Sequence, residues 1–308
     1  MRADTFELKV EDGKQIFVYR WQPDDGAAVK AVVHISHGMA EHAARYARFA
    51  EALTAAGYVV YANDHRGHGK TANGELGFLA ASGGFRRAVQ DLEQLVVHEK
   101  AQHPGLPVFL FGHSMGSFFA QAFLIASGSA LRGAILSGSN GKPNLLAQAG
   151  RLVARAERAR LGAKGQSKLL TALSFDDFNK AFKPNRTGFD WLSRDGAEVD
   201  KYVADSLCGF MVTTQLWIDV LDGTAEISDP VRQARVPMSL PVYIFAGSDD
   251  PVGGKTKSLR QLVEAYKQAG LRDVKHKFYP GGRHEMLNET NRDEVTRDVV
   301  AWLDDHVK

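Results

Sequence analysis

Apolar and polar positions along the chain follow two alternating rhythms. Thr5–Val10 and Gln15–Trp21 alternate residue by residue around the polar turn Glu11-Asp12-Gly13-Lys14, the pattern of an antiparallel hairpin. After the hairpin the pattern changes to short unbroken apolar runs, Ala31–Ser36, Tyr58–Ala62, Val108–Phe111 and Gly133–Leu136. Such runs suit strands buried on both faces of a parallel sheet. Between them lie stretches of helical period. One is alanine-rich and ends at Gly57; another, Phe85–Ala101, spaces Val89, Leu92 and Val96 on one face. The sheet rhythm returns at Pro241–Ala246 and Val274–Tyr279, with helices near Thr256–Gln268 and Arg292–His306. Strand alternating with helix predicts an α/β fold with a doubly wound, mostly parallel sheet.

From about Ser139 to Asp229 the alternation stops. The stretch is rich in Ala, Leu, Arg and aromatic residues and contains no convincing strand. The expected organisation is a core of residues 1–138 and 230–308 with a helical cap, 139–229, inserted between two core strands. Phe175, Phe178 and Phe182 fall at helical spacing, and with Phe189, Trp191, Phe210 and Trp217 they predict an aromatic cap interior that partly lines a binding tunnel. Leu145–Leu161 reads as an amphipathic helix, with Leu145, Ala149, Leu152, Val153, Ala156 and Ala159 on one face and Arg151, Arg155 and Arg158 in a stripe on another. Residues 141–194 carry 11 Lys/Arg against 4 Asp/Glu, a difference of +7. The helix is read first as the solvated outer face of the cap, and second as a transient contact with anionic membrane that salt would weaken.

Composition narrows the setting. The 308 residues are 44% hydrophobic and 24% charged, with a formal net charge of +2, so no global field recruits nucleic acid. The start MRADTFELKV lacks a signal peptide's apolar segment, and no apolar run approaches a membrane span. A single cysteine, Cys208, excludes an internal disulfide and reads as buried packing. The expectation is a cytoplasmic protein, peripheral to a membrane at most.

The chemistry concentrates in Pro107–Ala120. The buried strand runs straight into Gly112-His113-Ser114-Met115-Gly116, and a helix-compatible run follows. Strand, G-x-S-x-G, helix is the context of a nucleophile elbow, with Ser114 on a sharp turn above the sheet. A serine hydroxyl needs a base, and the base needs an orienting carboxylate. Asp249 and Asp250 follow the strand ending near Gly247, and His284 follows the next strand, which completes the order Ser, Asp, His. Side-chain alternation lets only one aspartate point inward, and Pro251 favours Asp250. The backbone N–H groups of Met115 and Met39 are the candidate oxyanion donors, with Gly38 letting the loop turn inward.

His37-Gly38-Met39-Ala40-Glu41-His42 with Arg45-Tyr46, then Asn63–Gly69, Gly112–Gly116, Gly247–Val252 and Arg283-His284 resemble the α/β-hydrolases of the monoacylglycerol lipase and lysophospholipase group. The resemblance covers about residues 6–138 and 240–306. It implies Ser114, Asp250 and His284 as triad, Met39 and Met115 as oxyanion hole, and Glu41 with Arg45, on one helix face, near the substrate's polar head. Ala40 departs from the glycine of the group's pattern, and the cap, with Asp195, Val199, Asp200, Tyr202 and Asp205, resembles it least. The implied reaction is hydrolysis of a lipid-like carboxylic ester, with no metal or organic cofactor. Alternatives on the same triad are a serine peptidase or a small-ester esterase, and outside catalysis a ligand-binding protein on this fold. His34, His37, His42, His65 and His68 crowd two loops but lack metal-ligand spacing, and His37, His65 and Asp64 read as braces for the oxyanion turn.

Overall fold

The computed structural model describes residues 1–143 and 145–307. The hairpin forms as β1 (Arg2–Lys9) and β2 (Gln15–Gln22), followed by β3 (Ala31–Ser36), α1 (Ala47–Ala55), β4 (Tyr58–Asn63), α2 (Gly84–Gln102), β5 (Val108–His113), α3 (Met115–Ser127) and β6 (Gly133–Ser137). Helices follow: α4 (Leu145–Leu161), α5 (Lys168–Ala172), α6 (Phe175–Lys180), α7 (Gly196–Ala204), α8 (Thr214–Ile227) and the short α9 (Pro230–Gln233). The chain then returns to the sheet as β7 (Val242–Gly247), α10 (Lys257–Gln268), β8 (Val274–Tyr279) and α11 (Arg292–His306). The strand order is β1-β2-β4-β3-β5-β6-β7-β8. β1, β2 and β4 pair antiparallel and every other neighbouring pair is parallel.

Period-2 alternation in the central strands sorts their side chains into two cores. Val108 and Leu110 of β5 join the face covered by α2, α3, α8 and α10, while Phe109 and Phe111 join the face covered by α1 and α11. Both faces are buried, which is why these strands read as continuous apolar runs. β8 is an edge strand, and its exposed Lys275 and His276 blunt that edge.

The helices between β6 and β7 lie over the carboxyl ends of the strands. Gly209 N–H and the Tyr202 hydroxyl both donate to the Ala40 carbonyl, at 2.9 and 2.8 Å, and Glu285 N–H donates to Leu192 O at 2.8 Å. The α4 face predicted from sequence is corrected here. Leu152 is 68% exposed and Ala149, Ala156 and Ala159 also face outward, whereas Ala154 and Glu157 are buried. The arginine stripe runs along the edge of α8 and stays largely exposed: Arg151 and Arg155 pair with Asp222, and Arg158 donates to Gln215. Of the expected apolar face, Val153 packs against the main core. The Leu145 side chain lies outside the described residues. The aromatic residues divide: Phe175, Phe178, Phe182 and Phe189 pack around Trp191, Leu192, Tyr202 and Cys208, while Phe210 and Trp217 join the main core. Phe182 lies past the end of α6. Among the described residues no helix is long and apolar enough to cross a membrane.

Candidate active site

β5 delivers Ser114 to the tip of a turn with φ 51° and ψ −122°, a conformation that costs a non-glycine residue energy. The turn exists because two glycines let backbones cross without Cβ atoms. A Cβ at Gly112 would lie 2.6 Å from Gly116 O, and one at Gly116 would collide with the Ser36 and His37 carbonyls. Ser114 N–H donates to Ser137 O at 2.9 Å, locking the turn to β6. Met115 opens α3, where the first-turn N–H groups have no acceptor within the helix.

His284 follows β8, and Asp250 follows β7. Both Asp250 carboxylate oxygens lie 3.0 Å from His284 Nδ1, and both side chains are buried. Asp250 Oδ1 also accepts from Val252 N–H at 2.9 Å, and its carbonyl accepts from Lys255 N–H at 2.9 Å. Asp249 is half-buried and gives its backbone N–H to Gly282 O. Burial opposes charging His284, but the Asp250 carboxylate outweighs it and raises the imidazole above its ordinary value. Because Nδ1 faces Asp250, Nε2 is the nitrogen left to exchange a proton.

Ser114 and His284 line one cavity of about 360 Å³ with Gly38, Met39, Phe175, Trp191 and Tyr202 among its walls. The Trp191 ring lies 4.9 Å from that of His284, and the Arg45 guanidinium lies 4.8 Å over the Tyr202 ring. The loop carrying Met39 turns through Ala40 at φ 55°, so the position where related patterns hold glycine is left-handed here and occupied by alanine.

A second cavity of about 370 Å³ adjoins the first and shares Glu41, His113 and Glu285 with it. Glu41 accepts from Gly38 N–H at 2.5 Å and from the Tyr46 hydroxyl at 2.9 Å, and it pairs with Arg45. Arg45 grips Glu285 bidentately, at 2.7 and 2.7 Å. Glu41 precedes the 3₁₀ turn Ala43–Tyr46 that carries Arg45, so the expected shared helix face is replaced by a buried cluster. Burial pushes both carboxyls up, but Arg45 outweighs it and both lie below their ordinary values. His113 is pushed down to about 4 by burial and by His284, so it is neutral. One guanidinium between two carboxylates leaves the cluster a net charge of −1.

Glu285 was missed in the sequence, and Trp191 was read there only as one of the cap aromatics that partly line the binding site, not as the ring beside His284. Glu285 adjoins His284 and offered the signal of a charge beside a candidate base. Trp191 sits 93 positions from its ring partner and offered none. Of the cap residues singled out, Asp195 caps α7 and pairs with Arg292, Asp200 pairs with Arg186, and Asp205 lies 2.9 Å from His42 Nε2.

The family profile described as serine aminopeptidase, S33, matches residues 27–291. The monoacylglycerol lipase of Mycolicibacterium smegmatis is 30% identical over 301 residues, 96% of this chain and 95% of that protein. The human monoglyceride lipase is 29% identical over 97% of this chain and 90% of its own length. Among solved structures, a thermostable carboxyl esterase from Bacillus coagulans in complex with glycerol superposes over the whole of both chains with a TM-score of 0.91 at 28% identity.

Proposed function

The chain belongs to the serine aminopeptidase, S33, family of serine hydrolases, and from that premise we propose that it is a monoacylglycerol lipase acting through an acyl-enzyme on Ser114. The observation that carries the reading is the elbow serine sharing a cavity with an imidazole whose Nδ1 is held by a buried carboxylate. His284 Nε2 takes the Ser114 proton as the hydroxyl attacks the ester carbonyl, then gives it to the departing alcohol, then activates water for deacylation. Asp250 fixes the imidazole tautomer and stabilises its cation. The Met39 and Met115 N–H groups receive the oxyanion, a role worth about 3–4 kcal/mol per donor.

The Glu41–Arg45–Glu285 cluster supports glycerol over a phosphorylated head group. Its hydrogen-bonding atoms suit hydroxyls, and its net negative charge opposes a phosphate. The aromatic wall of Phe175, Phe189 and Trp191 suits an acyl chain. We also read the outward Leu152, Leu169 and Leu173 of α4 and α5 as the cap's contact with a lipid surface. α4 also exposes Arg155, Arg158 and Arg160, so vesicle binding that weakens as salt rises is expected.

The test is turnover of monoacylglycerols, lysophospholipids and p-nitrophenyl esters from acetate to palmitate, with Ser114→Ala in parallel. Monoacylglycerol turnover that exceeds lysophospholipid turnover and vanishes in the variant is expected. Cleavage of aminoacyl p-nitroanilides in preference to esters would instead favour a peptidase.

A further inference from the structure

Behind the oxyanion loop, five buried side chains from β3, β4, α2 and the two following loops form one hydrogen-bonded line. Glu99 Oε1 lies 2.5 Å from His34 Nδ1, and His34 Nε2 lies 3.0 Å from Asn63 Oδ1. Asn63 Nδ2 lies 3.3 Å from His65 Nδ1, and His65 Nε2 lies 3.1 Å from both the His37 carbonyl and Ser36 Oγ. Ser36 Oγ donates to Gly116 O in the elbow at 3.3 Å. His65 N–H donates to His37 Nε2 at 3.0 Å, and His37 Nδ1 lies 2.7 Å from Gly38 O. Glu99, His34, Asn63, His65 and His37 are all at most 1% exposed.

Donor and acceptor chemistry fixes every proton in this line. The His65 backbone N–H occupies His37 Nε2, so the His37 proton is on Nδ1 and is given to Gly38 O. The His37 carbonyl only accepts, so His65 carries its proton on Nε2 and accepts at Nδ1. The Asn63 amide must then turn its NH₂ to His65 and its oxygen to His34, which requires a proton on His34 Nε2. Glu99 secures that proton. Either its carboxylate holds a doubly protonated His34, or its carboxylic acid donates to Nδ1, and both arrangements leave Nε2–H in place. Among the described residues the second Glu99 oxygen has no hydrogen-bond partner, and His34 is the side chain that bonds this buried carboxyl. The raised value of His34, where Glu99 and Asn63 outweigh burial, accords with the pair sharing a proton.

The consequence reaches the reacting centre through peptide geometry. In a trans peptide the carbonyl and the following N–H point in opposite directions. Gly38 O is drawn back toward His37, so Met39 N–H points the other way, on the stretch where Gly38 and Met39 line the cavity beside Ser114. His65 likewise holds the His37 carbonyl, and Gly38 N–H on the other side of that peptide meets Glu41.

We propose that Glu99 and His34 are positioning residues which, through Asn63 and the tautomers of His65 and His37, aim the Met39 N–H at the oxyanion. The proposal rests on the acyl-transfer reading of the site. The line works by occupancy: each group has one allowed proton position because its neighbour has one, starting from a pair buried between β3 and α2.

The test replaces the pair by apolar side chains of similar size, His34→Leu with Glu99→Met, in the full chain. A buried ion pair exchanged for packed apolar groups of similar size roughly keeps stability, so the urea midpoint should fall only by the cost of the buried Asn63 oxygen that loses its donor. The kcat should fall about tenfold with KM within about twofold, less than the ~100-fold or more of deleting an oxyanion donor. Imidazole ¹⁵N shifts of His65 should change from the single Nε2–H pattern to a mixture. Glu99→Gln alone should retain kcat, because its amide can donate to His34 Nδ1 and preserve Nε2–H. If the double variant does not fold, Asn63→Asp tests the same link, since a carboxylate cannot donate to His65 Nδ1, and the same drop is expected. Native kcat in a folded double variant, or in Asn63→Asp, overturns the proposal. So does an unchanged His65 pattern. Failure of a fluorophosphonate to label Ser114 in the native protein would instead remove the acyl-transfer reading, and the ¹⁵N measurement separates the two failures.

Discussion

Replacing Arg45 by leucine puts the charge balance of the Glu41–Arg45–Glu285 cluster to a quantitative test. In the native protein Arg45 is buried between Glu41 and Glu285 and holds both carboxyls below their ordinary values despite burial. Their native contribution is therefore present above the ordinary carboxyl range and is lost only as pH falls through the lowered values. Without the guanidinium, two carboxylates are left buried and facing each other. Removing one partner of a buried pair costs about 3–5 kcal/mol. At an m-value of about 3 kcal/mol per molar urea this lowers the midpoint by about 1–1.7 M. The sign of the pH dependence then inverts, because the surviving carboxyls are raised above their unfolded values. The native state of the variant keeps a proton the unfolded chain has lost, so its stability falls with rising pH by about 1.4 kcal/mol per unit for each such proton. Urea unfolding followed by tryptophan fluorescence at pH 5 and pH 8 reads this directly. The gap between native protein and variant should be widest at pH 8 and narrow markedly at pH 5. A gap of equal size at both pH values would refute the reasoning, since it would mean that the two glutamates do not depend on Arg45 for their charge.

Three further outcomes are expected. Because Asp250 raises His284 above its ordinary 6.5, and because the imidazole must be neutral to accept a proton, kcat/KM should rise with pH along a limb centred above 6.5. Asp250→Asn should move that limb down and reduce kcat by about 10⁴-fold; a native limb at or below 6.5 would contradict the assignment. Burial raises Asp219 on α8 to about 6, so its ionisation weakens the fold as pH rises from about 4 through 6. Asp219→Asn keeps an oxygen for the Gln215 amide and should stabilise by at most ~3 kcal/mol at pH 8, with no gain below pH 4, as measured by urea unfolding. Gly116→Ala drives a methyl into the backbone carbonyls of Ser36 at the end of β3 and of His37 just beyond it, and a loss of ~3 kcal/mol or more with loss of fluorophosphonate labelling at Ser114 should follow. A fully labelled, stable variant would show that the elbow has room it is not drawn with.

The sheet was legible because burial on both faces writes itself as runs such as AVVHIS and VFLFGH, and nearly every strand falls within a residue or two of its expected place. The Ser114 turn was legible because its two glycines serve one local crossing. The Glu41–Arg45 contact was legible as a spacing of four, but its third member came from the other end of the chain, where sequence order carries no proximity. The α4 face failed for a related reason. Its period was correct, but α8 sets Asp222 and Gln215 beside the arginines, a pairing that no local period records. Trp191 against His284 depends wholly on how the helical insertion folds back, which no local pattern records.

The joint at Ala40 bears on how such a protein diversifies. The insertion meets the donor loop there through a main-chain carbonyl that receives the Gly209 main-chain N–H and one tyrosine hydroxyl. Half of that joint is therefore main chain, and a φ of 66° at Gly209, with the Phe189 ring 2.9 Å from where a Cβ would sit, holds it to glycine. Residues lining the cavity can drift while the loop carrying Met39 keeps the same two anchors. Substrate range and catalytic geometry become separable traits, inherited on different parts of one chain.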